Sequence, residues 1–282
     1  MVPKFEELRD KVVVITGGGG VLGRTFAEAL AEQGAKLAIL DIDLDGAKAV
    51  ASTIKKKGGN AIGFEANVLD KKSLEQAHND IRKKLGPCDI LLNGAGGNHQ
   101  KGTTSKTHLF EEDMVGNEEL KTFFDLDFDS IQFVFNLNFL GTLLPTQIFA
   151  KDMIGRKGCS VINISSMNAF KPLTKIPAYS GAKAAVSNFT QWLAVHFSKV
   201  DIRVNALAPG FFLTEQNRSL LTNENGSLTE RGNIIIDHTP MGRFGKPDDL
   251  KGTLLWLCSN GSKFVTGVVV PVDGGFSSFT GV

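Results

Sequence analysis

Short apolar runs rich in β-branched residues alternate with amphipathic stretches along the whole chain. The runs fall at 12–16, 36–41, 61–64, 89–93, 160–164, 202–206 and 268–272. Between them, residues 25–33, 45–57, 71–84, 131–153, 178–198 and 248–258 have helical length and period. Strands that read as nearly continuous apolar runs, each followed by a helix, predict an α/β fold, a doubly wound parallel sheet with helices on both faces. Gly34 suits a helix C-terminus, where a left-handed residue costs little. Two segments break the rhythm, 96–129 and 211–243, and both follow the C-terminal ends of strands, where open parallel sheets bind ligands. No repeat or flexible linker divides the chain, so it reads as a single domain over 1–282.

Composition narrows the partner. Thirty-one basic residues against thirty acidic leave a formal charge of +1. No global field points to nucleic acid or an anionic membrane, and a small molecule is the expected partner. Cys88, Cys159 and Cys258 lack the paired spacing of a metal site or redox dithiol and read as reduced core residues. The charged first eleven residues carry no apolar signal core, and no run reads as approaching the roughly 18 apolar residues of a membrane span. A cytoplasmic protein is expected.

Two constellations carry chemistry. The window Gly18-Gly19-Gly20-Val21-Leu22-Gly23 follows the first strand and opens the first helix. Its glycines allow a tight turn and close approach of backbone to a pyrophosphate, with helix N-terminal amides facing the phosphates. Asp41 ends the second strand where a carboxylate can bond both adenine-ribose hydroxyls and repel a 2′-phosphate. With no Arg or Lys from 41 to 45, NAD(H) is favoured over NADP(H), although Asp41 also suits a plain turn. The second constellation is built on Tyr179, the only tyrosine of a chain with twenty Phe. Residues four apart on a helix share a face, so Lys183 can lie beside the phenol and lower its pKa from about 10. Ser166, at the end of the 160–164 run, can hold a substrate oxygen against that phenol. A surface Tyr-Lys pair with a nearby Ser cap is the bland reading of the same residues.

Taken together, Thr16-Gly17 through Gly23 and the set Ser166, Tyr179 and Lys183 resemble the short-chain dehydrogenase/reductase family, and the resemblance runs end to end. Asn93-Gly94-Ala95-Gly96 is similar to its Asn-Asn-Ala-Gly segment, Asn138 to its helix asparagine, Pro209-Gly210 with Thr214 to its nicotinamide segment, and Val272-Asp273-Gly274-Gly275 to its C-terminal signature. The resemblance implies a Rossmann-type sheet of about seven strands and a dimer or tetramer. For the cofactor it implies a site formed by Gly17, Gly18, Gly20, Val21, Leu22, Gly23, Asp41, Asn67, Val68, Asn93, Ala95, Gly96, Tyr179, Lys183, Pro209, Gly210, Phe212 and Thr214. Tyr179 would exchange the proton, Lys183 lower its pKa and hold the nicotinamide ribose, Ser166 orient the substrate oxygen, and Asn138 hold a water linking Lys183 to solvent. Alternatively, Asn138 satisfies a backbone group within its helix. Three departures stand out: Val21 replaces the middle glycine of the family turn, with Gly20 expected to supply the freedom; Asn67-Val68 replaces Asp-Val; and Gly94 replaces an Asn.

The 96–129 segment and the ending Gly274 to Val282 resemble the branch of that family that interconverts D-mannonate and D-fructuronate. Asn98, His99, Lys101, Gln216 and Arg218 lie in the two loops placed to cover a sugar acid, together with Ser166. The bland alternatives are solvated charges at Lys101 and Arg218 and a turn-capping His99. Other reductases of the family, acting on 5-ketogluconate, a polyol or a 3-oxoacyl thioester, compete with this reading. So does a non-catalytic NAD-binding sensor, against which the intact Ser166, Tyr179 and Lys183 set argues.

Overall fold

The computed structural model describes residues 4–115, 119–215 and 217–281. Seven parallel strands form one sheet in the order β3-β2-β1-β4-β5-β6-β7. They are β1 Val12–Thr16, β2 Lys36–Asp41, β3 Asn60–Glu65, β4 Ile90–Asn93, β5 Cys159–Ile164, β6 Ile202–Pro209 and β7 Val269–Val272. Alternation along each strand divides the core into two. Val13 and Ile15 point into one layer with Phe26 and Leu30 of α1 (Val21–Ala31), Val50 and Ile54 of α2 (Leu44–Lys56), and Leu254. Val12 and Val14 point into the other with Leu74 and Ile81 of α3 (Lys71–Lys84), Phe149 and Leu193. Pro271 lies in the edge strand β7, where a missing backbone donor costs no ladder bond.

The region expected as one helix over 131–153 begins earlier and changes pitch. It runs as α4 (Phe128–Phe135), a π-helical turn Asn136–Leu140, α5 (Gly141–Phe149) and a tight turn to Met153. Asn138 sits inside the π turn and donates Nδ2 to the Val134 carbonyl at 2.8 Å. Such wide turns are often tied to functional sites. By length and composition Phe128–Met153 would pass for a membrane span, contrary to the sequence expectation; half of its most apolar window is buried inside the protein, as in a core helix.

The 211–243 segment is not plain loop. It holds the short α7 (Arg218–Leu221) and α8 (Glu230–Asp237), the latter capped by Thr229 Oγ1 on the Gly232 amide at 3.0 Å. The 96–129 segment consists of brief turns and is tied to the chain before α6 (Pro177–His196) by the Thr104 amide on the Lys175 carbonyl at 2.9 Å. Helix α9 (Lys251–Cys258) closes the first layer. Cys88, Cys159 and Cys258 are free buried thiols, and burial pushes Cys258 up to about 12.

The edge of the sheet formed by the strand N-termini is held by ion pairs. Asp89 meets Lys11 and Arg156, while buried Asp152 accepts from Arg82 at 2.7 Å and the Cys88 amide at 3.0 Å and bonds His78 at 3.0 Å. The opposite edge, where the strands end, carries the cleft.

Candidate active site

The strand order reverses between β1 and β4, and a cleft of about 560 Å³ opens there. Its first wall is the glycine turn. Gly17 takes the left-handed conformation with φ 63°, and a Cβ on it would lie 2.8 Å from Ala95 Cα. A Cβ on Gly23 would lie 2.3 Å from the Gly17 carbonyl oxygen, so the helix can approach the turn this closely only without a side chain. The freedom expected of Gly20 belongs to Gly17. Gly20 has an ordinary φ of −71° and is the N-cap of α1, whose first helical residue is Val21. No side chain caps that helix, so its first amides are left to face the cleft.

Asp41 ends β2 on the same rim and is half-buried. Its carboxylate accepts from the Gly19 amide at 2.9 Å and the Asp43 amide at 3.1 Å, which fixes it beside the turn. A buried Thr16 hydroxyl receives the Gly94 and Ala95 amides at 3.1 and 3.3 Å, pinning the exit of β4 against β1. Gly210 is packed under Asp273, where a Cβ would come within 2.5 Å, so the β6 exit and the Val272 to Gly275 segment close the far wall together.

Of the residues expected around a cofactor, Gly17, Gly20, Val21, Leu22, Gly23, Asp41, Asn67, Val68, Ala95, Gly96, Tyr179, Pro209, Gly210, Phe212 and Thr214 line the cleft. Three do not. Gly18 packs against Ile39 and donates to the Leu40 carbonyl. Asn93 is buried and bridges Thr146 and Asn163 at 2.9 Å each. Lys183 lies beneath the cleft surface. Ala66, Leu137, Ser165, Phe211 and Asn217 line it without having been expected. Asn217 accepts the Thr214 amide at 2.8 Å and donates to the Phe212 carbonyl at 2.8 Å; an asparagine three residues past Thr214 was the available signal.

At the floor, Ser166 follows β5 and lines the cleft together with Tyr179, its hydroxyl accepting the Asn168 amide at 3.2 Å. Neighbouring Ser165 is not interchangeable with it, because its hydroxyl is spent on Ser187 at 2.7 Å and the Lys183 carbonyl at 3.2 Å. Burial raises the Tyr179 phenol above 10, and the nearby Ser166 hydroxyl opposes that rise. Lys183 is almost fully buried, with its Nζ 5.6 Å from the Tyr179 ring centroid and donating to the Ile164 carbonyl at 2.7 Å. Desolvation lowers it to about 8. The sequence reading expected Lys183 to lower the phenol. In the structure the influence opposing the rise comes from Ser166, while the Lys183 ammonium is bonded to the Ile164 carbonyl.

Asn138 follows its backbone-satisfying alternative and adds to it. Besides Val134, it donates to the Gly97 carbonyl at 2.8 Å and accepts from the Gly97 amide at 3.3 Å, clamping the chain after β4. The residues expected on substrate are dispersed. Asn98 bonds Thr103, His99 caps the following turn through the Lys101 amide and stands edge-on to Phe133, and Lys101 and Arg218 are exposed. None of these four lines the cleft. Gln216 lies outside the described residues.

Comparison with known proteins agrees with this geometry. The short chain dehydrogenase family model matches residues 11–225. An uncharacterised oxidoreductase of Haemophilus influenzae is 56% identical over 277 residues, covering 98% of this chain and 96% of its own. The uncharacterised oxidoreductase UxuB of Bacillus subtilis is 49% identical over 283 residues and 100% of both chains. A crystal structure from Haemophilus influenza, provisionally described as a D-mannonate oxidoreductase and holding NAD, superposes with a TM-score of 0.93 at 54% identity over 98% of each chain. A glycine turn opening an uncapped helix, a fixed Asp41 and a cleft floor of Ser166 and Tyr179 over buried Lys183 thus stand in a chain that belongs to the short-chain dehydrogenase family.

Proposed function

We propose that the chain is an NAD(H)-dependent oxidoreductase that interconverts a carbinol and a ketone of a sugar acid, D-mannonate and D-fructuronate being the pair favoured. The observation that carries the reading is that Ser166 and Tyr179 line one cleft with the glycine turn and Asp41, over the buried Lys183. The residues present fit a dinucleotide. The uncapped N-terminus of α1 offers amides to a pyrophosphate, and the wall at Gly17 and Gly23 leaves no room for a Cβ. Asp41 offers a fixed carboxylate to ribose hydroxyls and repels a 2′-phosphate, which favours NAD over NADP. The bound dinucleotide supplies the hydride acceptor or donor.

The chain's residues supply the rest. In the reductive direction the Ser166 hydroxyl donates to the ketone oxygen and orients it, and Tyr179 gives that oxygen its proton. Ser166 favours the phenolate left behind, and Lys183, anchored on the Ile164 carbonyl 5.6 Å from the Tyr179 ring centroid, is placed to hold the nicotinamide ribose. Asn138 clamps the Gly97 backbone, next to Gly96, where a Cβ would lie 3.2 Å from the Lys183 Nζ. The hexuronate choice draws support from the description of the Haemophilus structure and from the 211–243 segment, whose Phe211, Phe212, Thr214 and Asn217 line the cleft. Three unpaired thiols suit a reducing cytoplasm. Exposed Trp192 and Val195 on α6 suit a homodimer or homotetramer, checked by light scattering.

The test is oxidation of NADH with D-fructuronate beside 5-ketogluconate, an acetoacetyl thioester and NADPH. Turnover with D-fructuronate and NADH is expected. Turnover with another ketone alone would retain the reaction class and remove this substrate. NADH binding without any turnover would make the chain a sensor.

A further inference from the structure

A second chamber, of about 570 Å³, opens beside the cleft and shares Phe211 with it. Its floor is the stretch of chain that leaves Ser166 and returns to Tyr179, including Lys171 and Lys175. Its opposite wall is α8, from which Arg231 and Ile234 face in, and Phe276 closes one end. The chamber therefore adjoins the cleft at Phe211, and its floor is the chain that links Ser166 to Tyr179. The walls are mostly apolar, but three cations meet there, Lys171, Lys175 and Arg231, against one carboxylate, Glu230. The Lys171 ammonium is committed to the Phe279 carbonyl. Arg231 and Lys175 have no ion pair or side-chain hydrogen bond among the described residues.

Lys175 is also held in an unusual conformation. Its φ of 73° is left-handed, a region where glycine is relaxed and a long side chain is not. Its carbonyl is fixed by the Thr104 amide at 2.9 Å, so the 96–129 segment braces the strained residue. Strain kept at the mouth of a cavity needs a return, and a cation without a protein partner suggests what that return is.

We propose that this chamber receives the anionic end of the substrate, with Arg231 and Lys175 holding a carboxylate while Ser166 and Tyr179 engage the reacting oxygen at the other end. This rests on the oxidoreductase reading above. A carboxylate only accepts hydrogen bonds, and a guanidinium meets it with two parallel donors. The volume suits a ligand the size of a six-carbon acid. Arg231 is exposed, as are Lys101 and Arg218, the residues expected for this task from the sequence, but it lines the chamber and they line neither cavity.

The experiment measures KM for an anionic ketone and for NADH in the wild type, Arg231→Gln, Arg231→Lys and Lys175→Gly. The last variant removes the charge and relieves the backbone together, so its unfolding temperature should not fall. Expected is a rise of about 10- to 100-fold in KM for D-fructuronate with Arg231→Gln and Lys175→Gly, partial rescue by Arg231→Lys, and a KM for NADH changed less than twofold. Unchanged KM for D-fructuronate in both charge-removing variants would overturn the chamber and leave the proposed substrate standing. If the wild type reduces 5-ketogluconate but not D-fructuronate, and the variants raise KM for 5-ketogluconate, the hexuronate reading falls and the chamber stands. Turnover of neutral ketones alone would overturn it.

Discussion

A phenol with a pKa near 10 exchanges protons poorly at neutral pH, and at Tyr179 burial raises it further. Replacing it with Phe keeps the packing and removes the proton, so Tyr179→Phe should lower kcat by about 10³-fold or more while the Kd for NADH moves less than about threefold, as checked by steady-state kinetics and fluorescence titration. Lys183 gives a second, thermodynamic readout. Its folded pKa of about 8 lies below the ordinary lysine value, so between the two the unfolded chain binds more protons and stability rises with pH. Below about 8 the buried charge costs stability. The wild type should therefore gain on Lys183→Met as pH goes from 7.5 to 9.5, by about 1–2 kcal/mol in urea melts. Ser166, Tyr179 and Lys183 were legible because their chemistry needs particular side chains at helix and strand-end spacing. The hydrogen bond from Lys183 to the Ile164 carbonyl was not, since a backbone partner from another strand leaves no mark on the sequence.

The turn between β1 and α1 shows how a local motif can be read correctly and its mechanics misassigned. The glycine pattern announced the turn, but which glycine is left-handed depends on how the chain leaves β1, and that role falls to Gly17. Gly23 matters for a different reason, the approach of its Cα to the Gly17 carbonyl. Gly23→Ala should destabilise the protein by about 2 kcal/mol in urea melts and weaken NADH binding at least tenfold, because the backbone must move by more than a side chain could absorb. The α4 to α5 region was legible as helical from its period, whereas the π turn was not, because it is imposed by Asn138 reaching both Val134 and Gly97. In the 211–243 segment the polar sequence concealed α8, which buries only Gly232 and Ile235 and so shows little periodic apolar signal. The substrate-facing residues failed for a related reason: loops are folded by contacts with other loops, and spacing alone placed Asn98 and His99 where they serve their own turn.

The sheet divides the molecule into an edge that holds and an edge that acts. Along the strand N-termini, buried Asp152 collects His78, Arg82 and the Cys88 amide. Asp152→Ala should strand those donors and cost about 3 kcal/mol in equilibrium unfolding, with KM values changed less than twofold. The same division bears on the two ends of the chain. Phe5 receives a cap from Gln33, and Glu7 accepts the Asn260 amide, so the first described residues lie by the C-terminus of α1 and beyond α9. The last ones behave otherwise: Phe276 and Phe279 are chamber wall, and Lys171 is bonded to the Phe279 carbonyl. If the chamber takes the acid as proposed, a polyhistidine tag carried beyond Phe279 should raise KM for D-fructuronate by obstructing it, while the same tag ahead of Phe5 should leave steady-state kinetics unchanged.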